Sequence, residues 1–496
     1  MARPTSSSAR ASGESRAGKD SVSNILDRIQ KEKIRWIALQ FLDVPGYLQH
    51  ITIPSHQFDE DTFKEGLGKL DGSSIKGFKA IFESDMVLQP DASTFAEIPW
   101  TQHRTARMFA NLYEAGGSER FSRDPRYIAQ RAEEAVKKAG FDVSYWGPEP
   151  EFFVFDAVKL YPSWTAARDS AQGIGYQIES KEAAWAQGGA NVPVRFKEGY
   201  YPAPPVDTLQ DYRSEVCSLL EDYYGIEIDA HHHEVATAGQ VEINMRYDAL
   251  TKMADNLVSY KFVAKNVAAM RGLIATFMPK PIFGDNASGM HTHQSLWKGG
   301  KNTFFDAGDK YAEISQTCRY YIGGLKEHAR AISAFCGPST NSYKRLVPGY
   351  EAPVYVAWSK RNRSAAIRVP MYQKGAANAH LKRIEYRPPD TSVNPYYAFA
   401  AMVSAGLDGI KRKLDPGDPV DENIYHLTAK QRKEMDIVEL PGSLQEALDA
   451  LAGDRAFLKP VFPDDLVDTW LELKHEEFVQ NSIRPTPYEF YSYFDI

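Results

Sequence analysis

The chain has 496 residues, and 58 lysines and arginines against 65 aspartates and glutamates give a formal net charge of −7. Its 43% hydrophobic and 12% aromatic content can build a large core, which excludes disorder over the whole length. The acidic balance argues against nucleic-acid binding through bulk charge, no apolar run is long enough to span a membrane, and three scattered cysteines are too few for a disulfide framework and fit a reducing cytoplasm.

The N-terminal segment, residues 1–21, is rich in Ser, Ala and Arg and contains no large apolar side chain after Met1. Such a composition favours a flexible tail, although Arg and Ser with little acid are also typical of an organelle transit peptide. We favour the tail because the segment has no amphipathic apolar face. The pattern becomes globular from Ile25 onward.

A small, mostly β domain is predicted to follow, over residues 22–120. Residues 34–42 have the composition of a strand, residues 43–46 that of a turn, and a second strand runs through Ile51 and Ile53. A Gly/Ser-rich joint at residues 116–124 marks the predicted boundary with a second domain, residues 121–496.

The second domain mixes helices and strands without an internal repeat, so the fold class is α+β. We predict helices over residues 125–139, 209–224, 255–273 and 311–335. We predict strands over residues 141–155, 226–235, 241–247 and 381–387.

Charged residues occur where strands normally carry apolar ones. Glu149 and Glu151 are two residues apart, so on a strand they project from the same face. Paired carboxylates repel unless a cation lies between them or one is protonated. A solvated edge strand is the alternative, and the flanking aromatic residues make it the weaker one. We therefore predict a cation site here.

A histidine run followed by glutamates extends this pattern. The turn-like pair Ala238 and Gly239 would let residues 231–234 and 241–242 form a hairpin that brings Glu234 near Glu242. A zinc site or a surface stretch would also explain the histidines, but zinc prefers nitrogen and sulfur ligands. Dominant carboxylates favour Mg²⁺ or Mn²⁺ instead, and residues 285–293 add His291 and His293.

The C-terminal half supplies the opposite charge. Basic residues at 344–368 alternate with apolar residues and turns, which favours a cleft that binds phosphate over a solvated face. Glu385, between Arg383 and Arg387, is a further candidate metal ligand beside anion-binding groups. Glutamates, divalent metals and arginines in one cleft predict ATP-dependent phosphoryl transfer, and the lack of a Gly-x-x-x-x-Gly-Lys-Ser/Thr loop excludes a Walker site.

Six segments resemble glutamine synthetase, in family order and over most of the chain. They are LDGSSI (70–75), GPEPEFFVFD (147–156), HHHEVATAGQVE (231–242), SGMHTH (288–293), NSYKRLVPGYEAPVYVAWSKRNRSAAIRVP (341–370) and RIEYRPPDTSVNPY (383–396). The resemblance is to the type I enzymes of bacteria and archaea. It implies a small N-terminal β-grasp domain and a large C-terminal α/β catalytic domain of the glutamine-synthetase/guanido-kinase type. It also implies a cytoplasmic homododecamer of two stacked hexamers, with active sites at subunit interfaces.

The resemblance implies at least two Mg²⁺ or Mn²⁺ ions per site, with ATP as co-substrate. One ion would be held by Glu151, Glu234 and Glu242, and the other by Glu149, His291 and Glu385. The implied ATP contacts are Asp229, His293, Ser295, Arg363, Arg368 and Arg383.

The resemblance also implies a glutamate site, an ammonium site and three catalytic residues. The glutamate contacts would be Glu151, Asn286, Ala287, Arg345, Glu351, Arg363 and Arg387. The ammonium pocket would be formed by Asp71, Ser74, Tyr200 and Glu234, with Asp71 and Ser74 from the neighbouring subunit. The catalytic residues would be Asp71, which deprotonates ammonium, Arg363, which stabilises the transferring phosphoryl group, and Glu351, on a flap over the glutamate.

The implied reaction has two steps. The side-chain carboxylate of glutamate attacks the terminal phosphate of ATP, and ammonia then displaces phosphate from γ-glutamyl phosphate to give glutamine. The metals and Arg363 would offset charge on the phosphoryl group.

The chain departs from the family pattern at three places. Ala287 replaces a glycine next to the glutamate site, which affects affinity more than reaction. The sequence around Tyr425 differs from that of adenylylated enzymes, so we expect no such modification. Ala80, beside Lys79, replaces an arginine of glutamine-inhibited members, which argues against that form of feedback.

Two rival interpretations share this fold. A ligase for polyamines or other amines would tend to lose the acidic ammonium pocket, whereas Asp71 and Tyr200 are retained here. A non-enzymatic relative would have lost metal ligands, whereas all six are present. We therefore expect the ammonia-dependent enzyme, with small-molecule substrates and neither nucleic acid nor membrane as partner.

Overall fold

The computed structural model describes residues 21–161, 175–186, 192–347 and 352–496. The N-terminal tail and the predicted flap residue Glu351 therefore lie outside the described residues, apart from Ser21, which caps the first helix. Within these ranges, no helix combines the length and the apolar character needed to cross a lipid bilayer. The described residues divide into two compact units, and two excursions of the N-terminal region, Leu42–Gln49 and Asp71–Ser84, belong to the second unit.

The strands follow in chain order, numbered separately from the helices. They are β1 (Trp36–Leu42), β2 (Leu48–Pro54), β3 (Leu67–Asp71), β4 (Asp85–Pro90), β5 (Ala96–Ile98), β6 (Thr105–Glu114), β7 (Val143–Phe155), β8 (Ala157–Tyr161), β9 (Gly175–Glu179), β10 (Ile228–His233), β11 (Gln240–Met245), β12 (Asp248–Ala249), β13 (Ile274–Thr276), β14 (Met290–Lys298), β15 (Lys301–Asn302), β16 (Tyr355–Lys360), β17 (Ala365–Val369), β18 (Ile384–Tyr386) and β19 (Val438–Glu439).

The α-helices are named in the same way. They are α1 (Val22–Lys31), α2 (Glu60–Glu65), α3 (Pro125–Lys138), α4 (Gln210–Tyr224), α5 (Leu250–Met270), α6 (Gln316–Glu327), α7 (Ala329–Cys336), α8 (Ser342–Arg345), α9 (Pro395–Arg412), α10 (Ala429–Glu434), α11 (Leu444–Gly453), α12 (Asp464–Ser482) and α13 (Pro487–Tyr493).

The N-terminal sheet has the strand order β2-β1-β6-β4-β3, with β5 also paired to β6. The pair β1–β6 is parallel, whereas β4–β6 and β5–β6 are antiparallel. Strand β1 is buried along almost its whole length, as its apolar sequence predicts. This mixed sheet agrees with the small β-grasp domain expected from the sequence.

The larger sheet has the order β10-β11-β7-β14-β18-β17-β16-β19, with β12 and β13 on β7 and β15 on β14. Strand β7 pairs with β11 on one side and β14 on the other, which excludes the solvated edge strand that was the alternative for Glu149 and Glu151. Sheet and helices together confirm the α+β class.

One face of β7 packs against helices, and the other lines the cavities. Trp146 packs on Phe399 of α9 with ring centroids 5.0 Å apart, and Phe152 packs between Phe277 and Tyr260 of α5. Residues at the alternate positions, including Glu149 and Glu151, line cavities on the opposite face. One strand therefore builds the hydrophobic core and the candidate site.

Two predicted helices differ from the observed ones. Residues 311–335 form two helices rather than one, because α6 begins after Ser315, whose Oγ accepts a hydrogen bond from Cys318 N, and the chain breaks at His328. The His328 ring is held by Asp454 at 2.7 Å and Asp408 at 2.9 Å. Helix α5 begins at Leu250 rather than Asp255, and it ends before Gly272, whose φ of +70° suits a helix terminus.

Candidate functional site

A cavity of about 820 Å³ gathers most of the predicted site residues. Thirteen of them line it: Glu149, Glu151, Tyr200, Glu234, Glu242, Asn286, Ala287, His291, Arg345, Arg363, Arg368, Glu385 and Arg387. Residues from distant parts of the sequence meet here because β7, β11, β14, β17 and β18 are neighbours in one sheet.

A second cavity, of about 440 Å³, shares Glu149 and Asn244 with the first. Four predicted ATP contacts line it: Asp229, His293, Ser295 and Arg383. Its wall also contains Tyr145, which makes edge-to-face contacts with Tyr247 and Trp297 at 5.3 and 5.4 Å between ring centroids. An aromatic wall beside cationic side chains suits a planar base joined to phosphates.

Asp71 and Ser74 are not among the described residues that line either cavity. Asp71 is exposed at the end of β3, where its carboxylate accepts hydrogen bonds from Ser73 Oγ at 2.7 Å and Ser74 Oγ at 2.9 Å. These side-chain bonds, together with the Ser73 backbone amide, lower the pKa of Asp71. The group is therefore a carboxylate at neutral pH.

The histidine–arginine cluster, as we name Glu149, His291 and Glu385 with Arg368 and Arg387, lies across β7, β14, β17 and β18. Ligand atoms of Glu149, His291 and Glu385 lie within 4.8 Å of one another. Glu385 is fully buried between two guanidinium groups, with Arg368 Nε 2.5 Å and Arg387 Nη1 2.6 Å from its oxygens.

Charges within this cluster keep its carboxylates ionised. Burial opposes ionisation of Glu385. Arg387, His293, His291 and Arg368 nevertheless lower its pKa to about 2. Burial likewise opposes ionisation of Glu149, and His293 and His291 hold its pKa well below the usual range. Burial and Arg387 lower the pKa of His291 to about 4, which leaves a neutral imidazole able to bind a metal.

The carboxylate cluster, as we name His232, Glu234 and Glu242 with Glu151, forms where the predicted hairpin joins β7. Ala238 and Gly239 both have positive φ, of 64° and 84°, at the hairpin turn, and a Cβ at Gly239 would lie 2.6 Å from Val154 O. His232 pairs with Glu242 across β10 and β11, and its two ring nitrogens lie 3.6 Å from oxygens of Glu234 and Glu242.

The carboxyl groups of this second cluster oppose one another's ionisation. Burial raises the pKa values of Glu234 and Glu242 well above their usual range, and neighbouring carboxylates raise them further. Burial also raises the pKa of Glu151. Such a group is relieved by taking up protons or a cation. Carboxylates with one imidazole are a donor set that suits Mg²⁺ or Mn²⁺.

Glu151 lies in the same cavity but is held differently from its neighbours. Its Oε2 accepts hydrogen bonds from Gly289 N at 2.9 Å and from Gln240 Nε2 at 3.1 Å. The geometry therefore groups His232, rather than Glu151, most closely with Glu234 and Glu242.

His233 connects the hairpin to the segment that carries Tyr200. Its Nδ1 faces the carbonyl oxygens of Gly199 at 2.8 Å and Glu234 at 2.7 Å, and its Nε2 lies 3.2 Å from Glu182 Oε2. Burial disfavours the charged ring, but Glu182 raises the pKa of His233 overall. Tyr200 stacks on Tyr201 at 4.0 Å beside His232. His233 thus holds two walls of the large cavity together.

Two buried arginines form the opposite wall. Arg345 donates to the carbonyl oxygens of Pro388 at 2.7 Å and Arg387 at 3.1 Å. A Cβ at Gly289 would lie 2.7 Å from Arg345 Nη2, so a larger residue there would displace the guanidinium group. Among the described residues, Nε of Arg387 is buried without a hydrogen-bond partner, which marks a position for an anionic ligand.

The small cavity is connected to the histidine–arginine cluster by a chain of contacts. Arg383 Nε lies 3.1 Å from His293 Nδ1, and His293 Nε2 lies 3.0 Å from Glu149 Oε1. Both Arg383 and His293 belong to the predicted ATP contacts. A ligand that contacts Arg383 or His293 in the small cavity would therefore be linked by hydrogen bonds to Glu149, a candidate metal ligand.

Sequence reasoning missed several residues of the site. His232 lies on β10 and Glu234 directly follows the strand's last residue, so the spacing of two residues in extended chain was the signal that could have assigned His232. Gln240, Asn244 and Tyr425 also line the large cavity, and Tyr425 Oη donates to Ala352 O at 2.7 Å. Of the basic residues at 344–368, Lys360 instead lies over the Tyr311 ring at 4.1 Å.

Comparison with known proteins gives consistent matches over nearly the whole chain. The model of the glutamine synthetase catalytic domain matches residues 122–493, and that of the glutamine synthetase β-grasp domain matches residues 33–115. A glutamine synthetase of Sulfolobus acidocaldarius is 57% identical over 471 residues, covering 95% of this chain and 98% of the relative.

Solved structures give the same result. A cryo-EM structure of Plasmodium falciparum glutamine synthetase has a TM-score of 0.84 at 27% identity and covers 95% of this chain and 98% of that one. A complex of GmaS with ADP has a TM-score of 0.79 at 25% identity and covers 95% of this chain and 99% of that one.

Proposed function

The chain belongs to the glutamine synthetase family and catalyses ATP-dependent synthesis of glutamine from glutamate and ammonia, and from this premise we propose which residues carry out each step. One observation carries the assignment: two candidate metal clusters and four arginines line a single cavity. This is the arrangement that phosphoryl transfer to a carboxylate requires, because the charge of both reactants must be offset.

Divalent cations would be held at both clusters. Glu149, His291 and Glu385 would bind one ion, and Glu234 and Glu242 with Glu151 the other. His232 lies within ligand distance of this second group and would be a further donor. Bound Mg²⁺ or Mn²⁺ would supply charge stabilisation at the transferring phosphoryl group.

Glutamate would lie between the two clusters. Arg345 and Arg387 are suited to its α-carboxylate, and the unpartnered Nε of Arg387 supports this role. Asn286 and Ala287 would bound the rest of the amino acid. The side-chain carboxylate would then face the metal-binding groups and Glu151.

ATP would occupy the small cavity and extend its phosphates into the large one. Asp229, His293, Ser295 and Arg383 surround the first part of this path, and Arg368 and Arg363 line the second. The similarity to a GmaS–ADP complex supports a nucleotide site in this fold. Arg363 is exposed at the cavity, where it would stabilise the phosphoryl group during transfer.

Ammonium would bind beside Tyr200 and Glu234 on one subunit, with Asp71 and Ser74 from a neighbour. Asp71 is ionised and exposed, as expected for a group that completes another copy's site and removes a proton from ammonium. This arrangement requires an oligomer, which we propose to be the dodecamer of two stacked hexamers that the family resemblance implies. Glu351, outside the described residues, would cover the reacting glutamate.

The domain limits and the location belong to the same proposal. We place a β-grasp domain at residues 22–120 and the catalytic domain at residues 121–496, after a tail at 1–21. A cytoplasmic location is supported by Cys217, Cys318 and Cys336, which are buried free thiols.

Phosphate release from ATP tests the assignment of ammonia as the acceptor. With Mg²⁺ and glutamate present, release should depend on ammonium and match glutamine formation mole for mole. Stimulation by methylamine but not ammonium would instead assign another amine as acceptor. Release that is independent of glutamate would contradict the proposed site.

Mixed oligomers test the shared active site. Asp71→Asn and Glu385→Gln subunits should each be inactive alone, and their co-assembly should restore activity. Restoration follows because some sites would combine an intact Asp71 with an intact Glu385 from different subunits. If co-assembly restores nothing, Asp71 and Glu385 act in the same subunit or Asp71 has no role.

A further inference from the structure

Glu182 is a buried carboxylate to which the proposed mechanism gives no task. It is 1% exposed, and the described residues that line the two cavities do not include it. Its Oε1 accepts hydrogen bonds from Thr208 N at 2.5 Å and Thr208 Oγ1 at 2.7 Å, and its Oε2 lies 3.2 Å from His233 Nε2. Thr208 therefore fixes Glu182, and Glu182 in turn fixes one side of the His233 ring.

The other side of the His233 ring joins two parts of the chain that are distant in sequence. Its Nδ1 faces the carbonyl oxygen of Glu234 at 2.7 Å and that of Gly199, the residue before Tyr200, at 2.8 Å. Carbonyl oxygens only accept hydrogen bonds, so Nδ1 must carry a hydrogen and donate to them. One ring thus holds the backbone of Glu234 and the backbone next to Tyr200, the two residues that this subunit supplies to the proposed ammonium pocket.

Gly199 lets the backbone beside Tyr200 approach the end of β10 closely. Gly199 N donates a hydrogen bond to Val235 O at 2.9 Å. A Cβ at Gly199 would lie 2.6 Å from Glu234 O and 2.8 Å from Ala236 O. Gly199 is not among the described glycines with positive φ, so an added methyl group would act through this close approach rather than through backbone conformation. It would push the segment that carries Tyr200 away from Glu234.

We propose that Glu182 is a positioning residue that acts through His233. Together with the close approach at Gly199, this pair fixes the distance between Tyr200 and Glu234 and so sets the width of the ammonium pocket. The inference rests on the proposed function, since it takes these two residues as the ammonium-binding groups of one subunit. Ammonium and protonated methylamine carry the same charge and differ by one methyl group, so a pocket of fixed width separates them by size.

The test compares ammonium with methylamine as acceptors, using the complete enzyme with glutamate, ATP and Mg²⁺. The wild type should use ammonium at least about tenfold more efficiently in kcat/KM, the effect of one methyl group in a fitted pocket. Gly199→Ala should raise the KM for ammonium by about 3- to 10-fold and lower this preference by a similar factor. The KM values for glutamate and ATP should change little. Gly453→Ala is the matched control, because a Cβ at Gly453 meets no atom of the described residues within 4 Å.

Variants of Glu182 separate positioning from general support of the fold. Glu182→Ala leaves one side of the His233 ring unsupported and should have the same effects as Gly199→Ala. Glu182→Gln should restore most of the wild-type preference, because its amide oxygen can accept from Thr208 while its nitrogen donates to Nε2 of His233. If Glu182→Ala fails to assemble, Gly199→Ala decides the question alone.

An acceptor preference that is the same in the wild type and Gly199→Ala would overturn the inference and leave the proposed function standing. Equal use of the two acceptors by the wild type would also overturn it. Calorimetry with Mn²⁺ adds a second readout, and a changed affinity with an unchanged preference would confine Glu182 to supporting the metal site at Glu234. Wild-type turnover that responds to methylamine but not to ammonium would contradict the proposed function, and the inference with it.

Discussion

The histidine–arginine cluster and the carboxylate cluster begin two residues apart on β7, at Glu149 and Glu151, yet they are electrostatically opposite. In the first, Arg368 and Arg387 supply the positive charge that the buried Glu385 carboxylate needs, and His293 lies 3.0 Å from Glu149. In the second, burial and neighbouring carboxylates raise the pKa values of Glu234 and Glu242, and His232 lies 3.6 Å from Glu234. The protein completes one site with its own charges and leaves the other to depend on a bound ion.

The largest expected effect is a loss of stability when the histidine–arginine cluster loses a carboxylate. Glu385→Gln removes the charge that lies between Arg368 and Arg387, so two buried guanidinium groups lose the carboxylate with which they form ion pairs. We expect the unfolding free energy of the metal-free protein to fall by about 3–5 kcal/mol. Chemical denaturation in EDTA measures this value. An unchanged midpoint would mean that the arginines are compensated elsewhere.

Metal binding should have the next largest effect. Because the carboxylate cluster needs a cation, Mn²⁺ at about 100 times its Kd should stabilise the native protein by about 2.7 kcal/mol per site. Thermal unfolding with and without Mn²⁺ provides the measurement, and excess EDTA should reverse the shift. A melting temperature that is the same with and without Mn²⁺ would contradict the proposal that the carboxylate cluster depends on a bound cation.

The two clusters should respond to pH with opposite signs. The raised pKa values of Glu234 and Glu242 mean that the metal-free native chain keeps protons that the unfolded chain releases, so its stability falls as pH rises above 4.5, the ordinary pKa of a glutamate side chain. The pKa of Glu385, lowered to about 2, gives stability that is lost only as pH falls towards that value.

Metal binding must displace the protons of the carboxylate cluster. Mn²⁺ affinity should therefore rise with pH, by about tenfold per pH unit for each proton released. Calorimetry in two buffers of different ionisation enthalpy counts those protons, and Glu242→Gln should release fewer. Affinity that is constant from pH 5 to 8 would show that these carboxyl groups are already ionised.

Glu242→Gln should stabilise the metal-free protein, in contrast to Glu385→Gln. The amide removes one of several repelling carboxylates, and we expect a gain of about 1 kcal/mol in EDTA. The same variant should lose metal binding and activity. Chemical denaturation of Glu242→Gln and Glu385→Gln, both in EDTA, gives the comparison directly. Changes of the same sign in their unfolding free energies would refute the proposed contrast.

The smallest effect is expected at Ala287, on the wall of the large cavity. Its carbonyl oxygen accepts a hydrogen bond from Gln240 Nε2, which also donates to Glu151. Ala287→Gly removes a methyl group beside the proposed glutamate site and should lower the KM for glutamate by about two- to fourfold. The KM for ATP serves as the internal control. A higher glutamate KM would show that the methyl group contributes favourable packing.

Local patterns predicted the parts of the fold that depend on neighbouring residues. Alternation placed Glu149 and Glu151 on one face, and the Ala238–Gly239 turn predicted the hairpin that brings Glu234 and Glu242 together. The break at His328 could not be predicted in this way, because it depends on Asp408 and Asp454, which are distant in sequence. Tertiary contacts of this kind override helical periodicity.

The site was predicted in composition better than in arrangement. The motifs identified the charged residues, but the sequence does not specify strand order, so the pairing of Arg368 with Glu385 through adjacent β17 and β18 was not visible. For the same reason, the hydrogen bonds of Glu151 to Gln240 and Gly289 were not foreseen. Register and packing, rather than residue identity, were the missing information.

The use of both faces of β7 has a consequence for how the sequence can change. A deletion at the start of this strand that shifts its register by one residue would move Glu149 towards the helices and Trp146 towards the cavity. Hydrophobic packing and the candidate site would be lost together, and no single compensating substitution could restore both. Substitutions can therefore adjust either face of β7 separately, whereas its length should be fixed across every chain that uses this site.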